Sequence, residues 1–312
     1  MTRQTGSSDE SEIFMKKFKR LLFIVNPNAG LKRETPFDAI CTVFEDYEYE
    51  VIVCFTRAAG DGTVIVRDHA SDDIDLIVCM GGDGTLNETF AGAYEIGWRK
   101  PIGYIPAGTT NDFASSIGLP SDHVEAAKHI MEHEPHDLDL GMFNGRMFVY
   151  TACCGIFTKT SYETPQKIKN VFGHLAYVLE GVKDLTQIHS IHMKIDTGTE
   201  KFEDNYLFVS MCNTYSLGGV MTLDESQVSL SDGEFELFTI AMPRDLLQLN
   251  TIITALANQK YDEANDLVHF TKVKNAEILF PQFEDWSLDG ERGEGREKNK
   301  FSVVHDAVRL IY

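Results

Sequence analysis

Five consecutive residues, Gly81-Gly82-Asp83-Gly84-Thr85, constrain this chain more than any others. They follow the apolar run Asp75-Leu-Ile-Val-Cys-Met80, which reads as a buried strand ending at glycine. Leu86, Asn87, Glu88 and the apolar-periodic residues after them read as the start of a helix. A strand, a glycine-rich turn and a helix N-terminus together form an anion site. Glycine lets backbone N–H groups come close to a phosphate, and the helix end adds partial positive charge. An acidic side chain in such a loop repels phosphate unless a divalent cation lies between them, so Asp83 points to a nucleotide with Mg²⁺. The chain has no GxxxxGK[ST] and no strand-linked GxGxxG. The plainer reading is a tight turn that uses glycine for backbone geometry alone.

Two further loops fit the same plan. Leu21-Leu-Phe-Ile-Val25 reads as a strand closed by Asn26-Pro27-Asn28-Ala29-Gly30, and Ile102 to Ile105 as one closed by Pro106-Ala-Gly-Thr-Thr-Asn-Asp-Phe113. In an open parallel sheet the carboxyl ends of the strands share one edge, so these loops converge on one crevice.

NPNAG, GGDGTLNE and PAGTTNDFA in this order resemble the diacylglycerol kinase catalytic-domain family of lipid kinases. The resemblance runs over residues 19–312, through Asp139-Leu-Gly-Met-Phe-Asn-Gly145, Ser231-Asp-Gly233 and Asp289-Gly-Glu291. It implies an ATP-dependent kinase that phosphorylates the hydroxyl of diacylglycerol or a related lipid. It also implies an α/β fold: an N-terminal open α/β, phosphofructokinase-like nucleotide domain followed by a β-sandwich domain for the lipid. By the same resemblance Asn26, Pro27, Asn28, Ala29, Gly30, Thr56, Gly81, Gly82, Asp83, Gly84, Thr85, Leu86, Asn87 and Thr109 would hold ATP. Asp83 would carry the nucleotide's Mg²⁺, and Glu291 would be the general base. Asp232, with the main-chain oxygens of Ser229 and Glu234, would hold a structural Mg²⁺. Taken alone, Asp232-Gly233 reads as a turn, and the run around Glu291 as a charged one. The chain departs from the family pattern at Ala29, Ser115 and Val220.

The net charge of −20 argues against nucleic acid as a partner and against broad adhesion to anionic membranes. Local exceptions are Lys16, Lys17, Lys19 and Arg20, then Lys159, Lys167 and Lys169. The second cluster leads into residues 164–182, a basic amphipathic pattern that reads as core at helical spacing or as a membrane-contacting helix. Transient contact with the membrane surface, a cytoplasmic location at its inner face and a homodimer complete the expectations. No apolar run approaches membrane-spanning length, and no signal-peptide pattern is present. The six cysteines lack CxxC spacing and read as buried free thiols. His129, His133 and His136 have metal-ligand spacing without HExxH and read as surface histidines.

The strand rhythm places a nucleotide domain over 13–133, with strands near 20–25, 50–55, 75–80 and 102–105 and helices near 35–46, 60–71, 85–96 and 121–133. Residues 136–298 read as the second domain, with β-type runs that include 146–152, 190–197, 205–213, 234–242 and 276–280. The last strand, 301–312, returns to the first domain, and residues 1–12 read as a disordered tail. Two other functions share the GGDG loop or the fold: a soluble-substrate kinase of the NAD kinase type, and a non-catalytic lipid- or nucleotide-binding protein. The PAGTTNDFA loop separates the chain from the first. Asp83, Asp112, Asp232 and Glu291 together separate it from the second.

Overall fold

The computed structural model describes residues 18–29, 37–71, 73–155, 189–217, 221–222, 228–258, 260–264, 267–280 and 284–312. Gly30, the tail 1–12, Lys16, Lys17, Lys159 and the segment 164–182 with Lys167 and Lys169 lie outside them.

The first half alternates strand and helix: β1 (Lys19–Val25), α1 (Phe37–Asp46), β2 (Tyr49–Phe55), α2 (Asp61–His69), β3 (Leu76–Gly81), α3 (Asp83–Glu95), β4 (Ile102–Pro106), α4 (Asp112–Ser116) and α5 (His123–Glu132). The strands lie parallel in the order β2-β1-β3-β4. Both faces of this sheet are covered, which is why its central strands are continuous apolar runs. Leu21, Phe23 and Val25 pack against Ile40 and Phe44 of α1 and Ile130 of α5. Leu22 and Ile24 point the other way, toward Val66 of α2 and Phe90 of α3. Strand order reverses between β1 and β3, the switch point where a crevice opens at the carboxyl ends.

The second half contains β5 (Pro135–Phe143), β6 (Arg146–Phe148), β7 (Thr151–Gly155), β8 (Ile191–Asp196), β9 (Lys201–Cys212), β10 (Ser216–Leu217), β11 (Met221–Thr222), β12 (Phe235–Ala241), α6 (Leu246–Asn258), β13 (Val268–Val273), β14 (Asn275–Leu279), β15 (Trp286–Leu288), β16 (Glu291–Gly293) and β17 (Lys298–Ile311). Its strands face one another across a second core that includes Phe143, Phe148, Met193, Phe235, Trp286 and Phe301. All but β10 and β11 belong to the same 15-stranded hydrogen-bonded network as the first half. The run expected over 146–152 is two strands. It breaks because the N–H groups of Val149 and Tyr150 turn to the carboxylate of Asp289.

β17 joins the halves. It pairs antiparallel with β14 and β5, and Leu310 pairs parallel with Ile102 of β4. A bulge between Val304 and Val308 places Asp306 at φ 48°. All six cysteines are free, with Cys79, Cys154 and Cys212 buried. No helix among the described residues is long and apolar enough to cross a membrane.

Candidate active site

Three loops meet at the switch point. The loop after β1 is an Asx turn: Asn26 Oδ1 accepts from the Asn28 N–H at 3.0 Å, and Asn26 Nδ2 donates to Thr85 Oγ1 at 3.1 Å. The Asn26 N–H donates to the Met80 carbonyl at 2.9 Å, which binds this loop to the end of β3. The Ala107 N–H donates to the Gly81 carbonyl at 2.7 Å, so the loop after β4 lies against the same strand end. Thr56 is buried at the end of β2, and its N–H donates to the Val25 carbonyl at 2.9 Å. Thr109 is exposed on the third loop, one residue past Gly108.

Two glycines are required here by space. A Cβ on Gly81 would stand 2.4 Å from Thr85 Oγ1, and one on Gly108 only 2.6 Å from the Gly82 Cα. The loops after β3 and β4 therefore touch backbone to backbone. Asn111, at φ 50°, closes the second of them by bonding both the N–H and the carbonyl of Gly108.

Asp83 opens α3 within this cradle. Its Oδ2 accepts from the Asp112 N–H at 3.2 Å, whereas its Oδ1 is buried with no hydrogen-bond partner. Burial, then the carboxylates of Asp112 and Asp289, push its pKa up to about 7. A buried carboxylate oxygen without a donor, among other acids and beside helix N–H groups, suits a divalent cation.

Glu291 reaches the cradle from the second half. A Cβ built on Gly84 would lie 3.2 Å from Glu291 Oε1. The other oxygen, Oε2, is held by Arg146 Nη2 at 2.5 Å. The turn that carries Glu291 is anchored by Asp289, at φ 49° and buried. Asp289 accepts from the N–H groups of Val149 at 2.6 Å, Tyr150 at 3.0 Å and Thr151 at 3.0 Å. It also accepts from Asn87 Nδ2 at 2.9 Å.

Two acidic residues of the motifs, neither of them a sequence candidate, have structural duties. Glu88 takes the N–H groups of Gly60 at 2.6 Å and Gly62 at 2.9 Å, capping α2 from the neighbouring helix. Asp139, fully buried, accepts from Gly233 N–H at 2.6 Å, Asp306 N–H at 2.7 Å and His305 Nδ1 at 2.9 Å. A polar residue between apolar strand positions is the signal that marks Asp139.

The Asp232 turn lies beside this hub. Asp232 Oδ1 accepts from the Glu234 N–H at 3.0 Å, and Oδ2 pairs with Lys272 Nζ at 2.5 Å. An ammonium thus already supplies the positive charge at the position that the resemblance gives to a structural ion, beside Ser229 and Glu234. Asp139, His305 and Asp306 bring ligand atoms within 4.8 Å of one another, but the Asp139 oxygens are engaged by the three donors just named. Of the first basic cluster, Lys19 and Arg20 are described. Arg20 is paired with Glu50 and Asp73 at the start of β1, the end of the sheet away from the crevice.

A sequence profile described as "Diacylglycerol kinase catalytic domain" matches residues 20–143. A protein of Bacillus subtilis (strain 168) named diacylglycerol kinase is 31% identical over 297 residues, covering 94% of this chain and 96% of its own. A diacylglycerol kinase of Staphylococcus saprophyticus is 34% identical over 280 residues, covering 88% and 90%. A solved structure of a diacylglycerol kinase from Bacillus anthracis str. Sterne superposes with a TM-score of 0.70 at 24% identity, covering 95% of this chain and 97% of that one. At that identity the last likeness speaks for the fold alone.

Proposed function

We propose that this chain, which belongs to the diacylglycerol kinase family, transfers the γ-phosphate of ATP to the free hydroxyl of a diacylglycerol-type lipid. One observation carries the reading. Glu291 Oε1, a proton acceptor, faces Gly84 at the phosphate-binding end of α3 across the joint between the two halves. Phosphoryl transfer to an alcohol needs such an acceptor next to a bound triphosphate and asks otherwise for positioning and charge neutralisation.

The resemblance and the geometry together support these roles. Backbone N–H groups of Gly82, Asp83 and Gly84 cradle the phosphates, and the Asn26–Ala29 turn, whose own N–H groups close that loop, borders them, with Gly30 next in sequence. Thr56 and Thr109 border the nucleotide, and the side chain of Asn87 braces the turn that carries the base. Asp83, with its unpartnered Oδ1, would hold Mg²⁺. When bound, Mg²⁺ neutralises the charge on the β- and γ-phosphate oxygens. Glu291 accepts the proton of the lipid hydroxyl as the oxygen attacks. Arg146 holds Glu291 in place through their ion pair. No step is routed through an ion at Asp232, where Lys272 already pairs with the carboxylate. The substrate resides in a bilayer, so the crevice meets it at the membrane surface.

Incubation of the purified protein with labelled ATP and a panel of diacylglycerol, undecaprenol, phosphatidylglycerol, sphingosine and NAD tests the reading. Label in the diacylglycerol product is expected. Transfer to NAD alone, or to none of the panel, would overturn it.

A further inference from the structure

His305 and Asp306 lie in the bulge where β17 passes from the second half of the molecule to the first. Before the bulge, Phe301 packs in the second core and Ser302 pairs with Asn275 of β14. After it, Val308 and Leu310 belong to the core of the nucleotide half, and Leu310 pairs with Ile102 of β4. β5 follows β17 on both sides, with Leu140 opposite Val304 and Leu138 opposite Val308, which places Asp139 across from the bulge.

Both halves hold this crossing. The buried Asp139 takes the Asp306 N–H and His305 Nδ1 on one oxygen and the Gly233 N–H on the other. From the nucleotide half, Arg99, between α3 and β4, donates through Nη1 to the Asp306 carbonyl. Asp306 stands at φ 48°, a backbone that L-residues adopt sparingly, so these contacts support its shape.

The His305 ring meets a carboxylate at each end. Nδ1 lies 2.9 Å from Asp139 Oδ1, and Nε2 lies 3.3 Å from Asp306 Oδ2. Ionised carboxylates only accept, and a neutral imidazole has one N–H, so both contacts are favourable for the imidazolium alone. The hydrogen bond to Asp139 raises the pKa of His305 against the opposing effect of desolvation, and the charges of Asp139, Asp306 and Asp137 add to the rise. Around the bulge, Asp137 is itself paired with Arg309, and Asp232 with Lys272 on the turn that carries Gly233 and Glu234. Once the proton leaves, the Nε2 lone pair faces the Asp306 carboxylate and the two repel.

We infer that His305, as the imidazolium, is a positioning residue: it clasps the β17 bulge and through Asp139 fixes the spacing of the two halves, and with it the approach of Glu291 to the phosphate cradle. The kinetic part of this inference rests on the lipid-kinase reading, and the clasp itself does not. The folded pKa lies above the unfolded value of about 6.5. The clasp is therefore complete below about pH 6.5 and is lost as pH rises through the folded value.

The intact wild type, His305→Gln and Asp306→Asn are compared from about pH 5.5 to about pH 8.5 by thermal melts and by steady-state kinetics with ATP and diacylglycerol. Ratios to the wild type at each pH cancel the titrations that all three proteins share. His305→Gln is expected to melt below the wild type at the acid end and level with it at the alkaline end. Its kcat should fall about fivefold at the acid end and match at the alkaline end, with the KM for ATP unchanged, because the nucleotide loops lie within the first half. Asp306→Asn, which keeps a side chain suited to positive φ, should lower the midpoint of the His305 titration followed by nuclear magnetic resonance. A melting gap of one size at every pH would make His305 merely structural and overturn the inference. A kcat ratio that stays constant with pH, or an imidazole that titrates at or below about 6.5, would overturn it too. A pH-dependent melting gap in a protein that phosphorylates no lipid keeps the clasp and loses the lipid-kinase reading.

Discussion

Asn87 on α3 and Asp289 in the turn before β16 are 202 residues apart and joined by a 2.9 Å hydrogen bond from Nδ2 to Oδ2. The same carboxylate gathers three consecutive backbone N–H groups from Val149 to Thr151. One side chain therefore ties the phosphate-binding helix to the turn that presents Glu291. The distance between the two halves of the site is held by polar contacts inside the protein, where such bonds are costly to leave unmade.

Asn87→Ala removes one donor from a buried carboxylate and loosens the joint. We expect a loss of about 1–2 kcal/mol in stability and a fall in kcat on the order of tenfold or more. Asp289→Ala orphans two buried N–H groups and one half-buried one and is expected to cost about 3 kcal/mol or more. Thermal melts and steady-state kinetics check both. An Asn87→Ala protein with wild-type melting and turnover would show that the joint is held by something else.

Asp83 makes stability depend on pH and on metal. Its folded pKa, pushed up to about 7, lies above its ordinary range, so the folded chain holds a proton that the unfolded chain has released. Stability from that proton is present at low pH and is lost as pH rises through about 7 when no cation is bound. Asp83→Asn should therefore melt higher than the wild type, with a gap that grows from pH 5 to pH 8 to roughly 1–2 kcal/mol once solvent screening is allowed for. Added Mg²⁺ should close the gap by binding the wild type alone, and the variant's turnover should collapse. A pH-independent gap unmoved by Mg²⁺ would count against Asp83 as the ion's ligand.

Glu291→Gln keeps the size of the side chain but cannot accept a proton. Turnover should drop by about a hundred- to ten-thousand-fold. Nucleotide affinity should hold or tighten, because a negative charge next to Gly84 is removed. Isothermal titration with a non-hydrolysable nucleotide separates the two effects. Retention of most of the turnover would move the base elsewhere, to Asp83 or Asp112.

Asp232→Ala tests which cation holds that turn. With Lys272 as its partner, the variant should lose at most about 1 kcal/mol, equally with and without Mg²⁺. Calorimetric melts in Mg²⁺ and in chelator measure it. A loss confined to Mg²⁺-containing buffer would instead place an ion between Asp232 and the carbonyls of Ser229 and Glu234.

Local chemistry made much of this protein legible from its residues. The continuous apolar runs of β1, β3 and β4, each closed by a glycine or asparagine loop, marked a parallel sheet, and the four strands lie within one residue of their expected bounds. A carboxylate in a glycine loop suggests a cation at Asp83 from neighbouring residues alone, and the structure adds that its Oδ1 has no hydrogen-bond partner. The rest depended on partners distant in the chain. Asn87 was assigned to the nucleotide, and only tertiary contact revealed that its amide bonds Asp289. Lys272 reaches Asp232 because β13 lies across from β12, a pairing that no short window contains. The interruption at Val149 and Tyr150 has the same origin, a carboxylate 140 and 139 residues away. Periodicity and turn chemistry act over a few residues and so can be read along the chain. Which buried donor meets which acceptor is decided by the packing of the whole sheet.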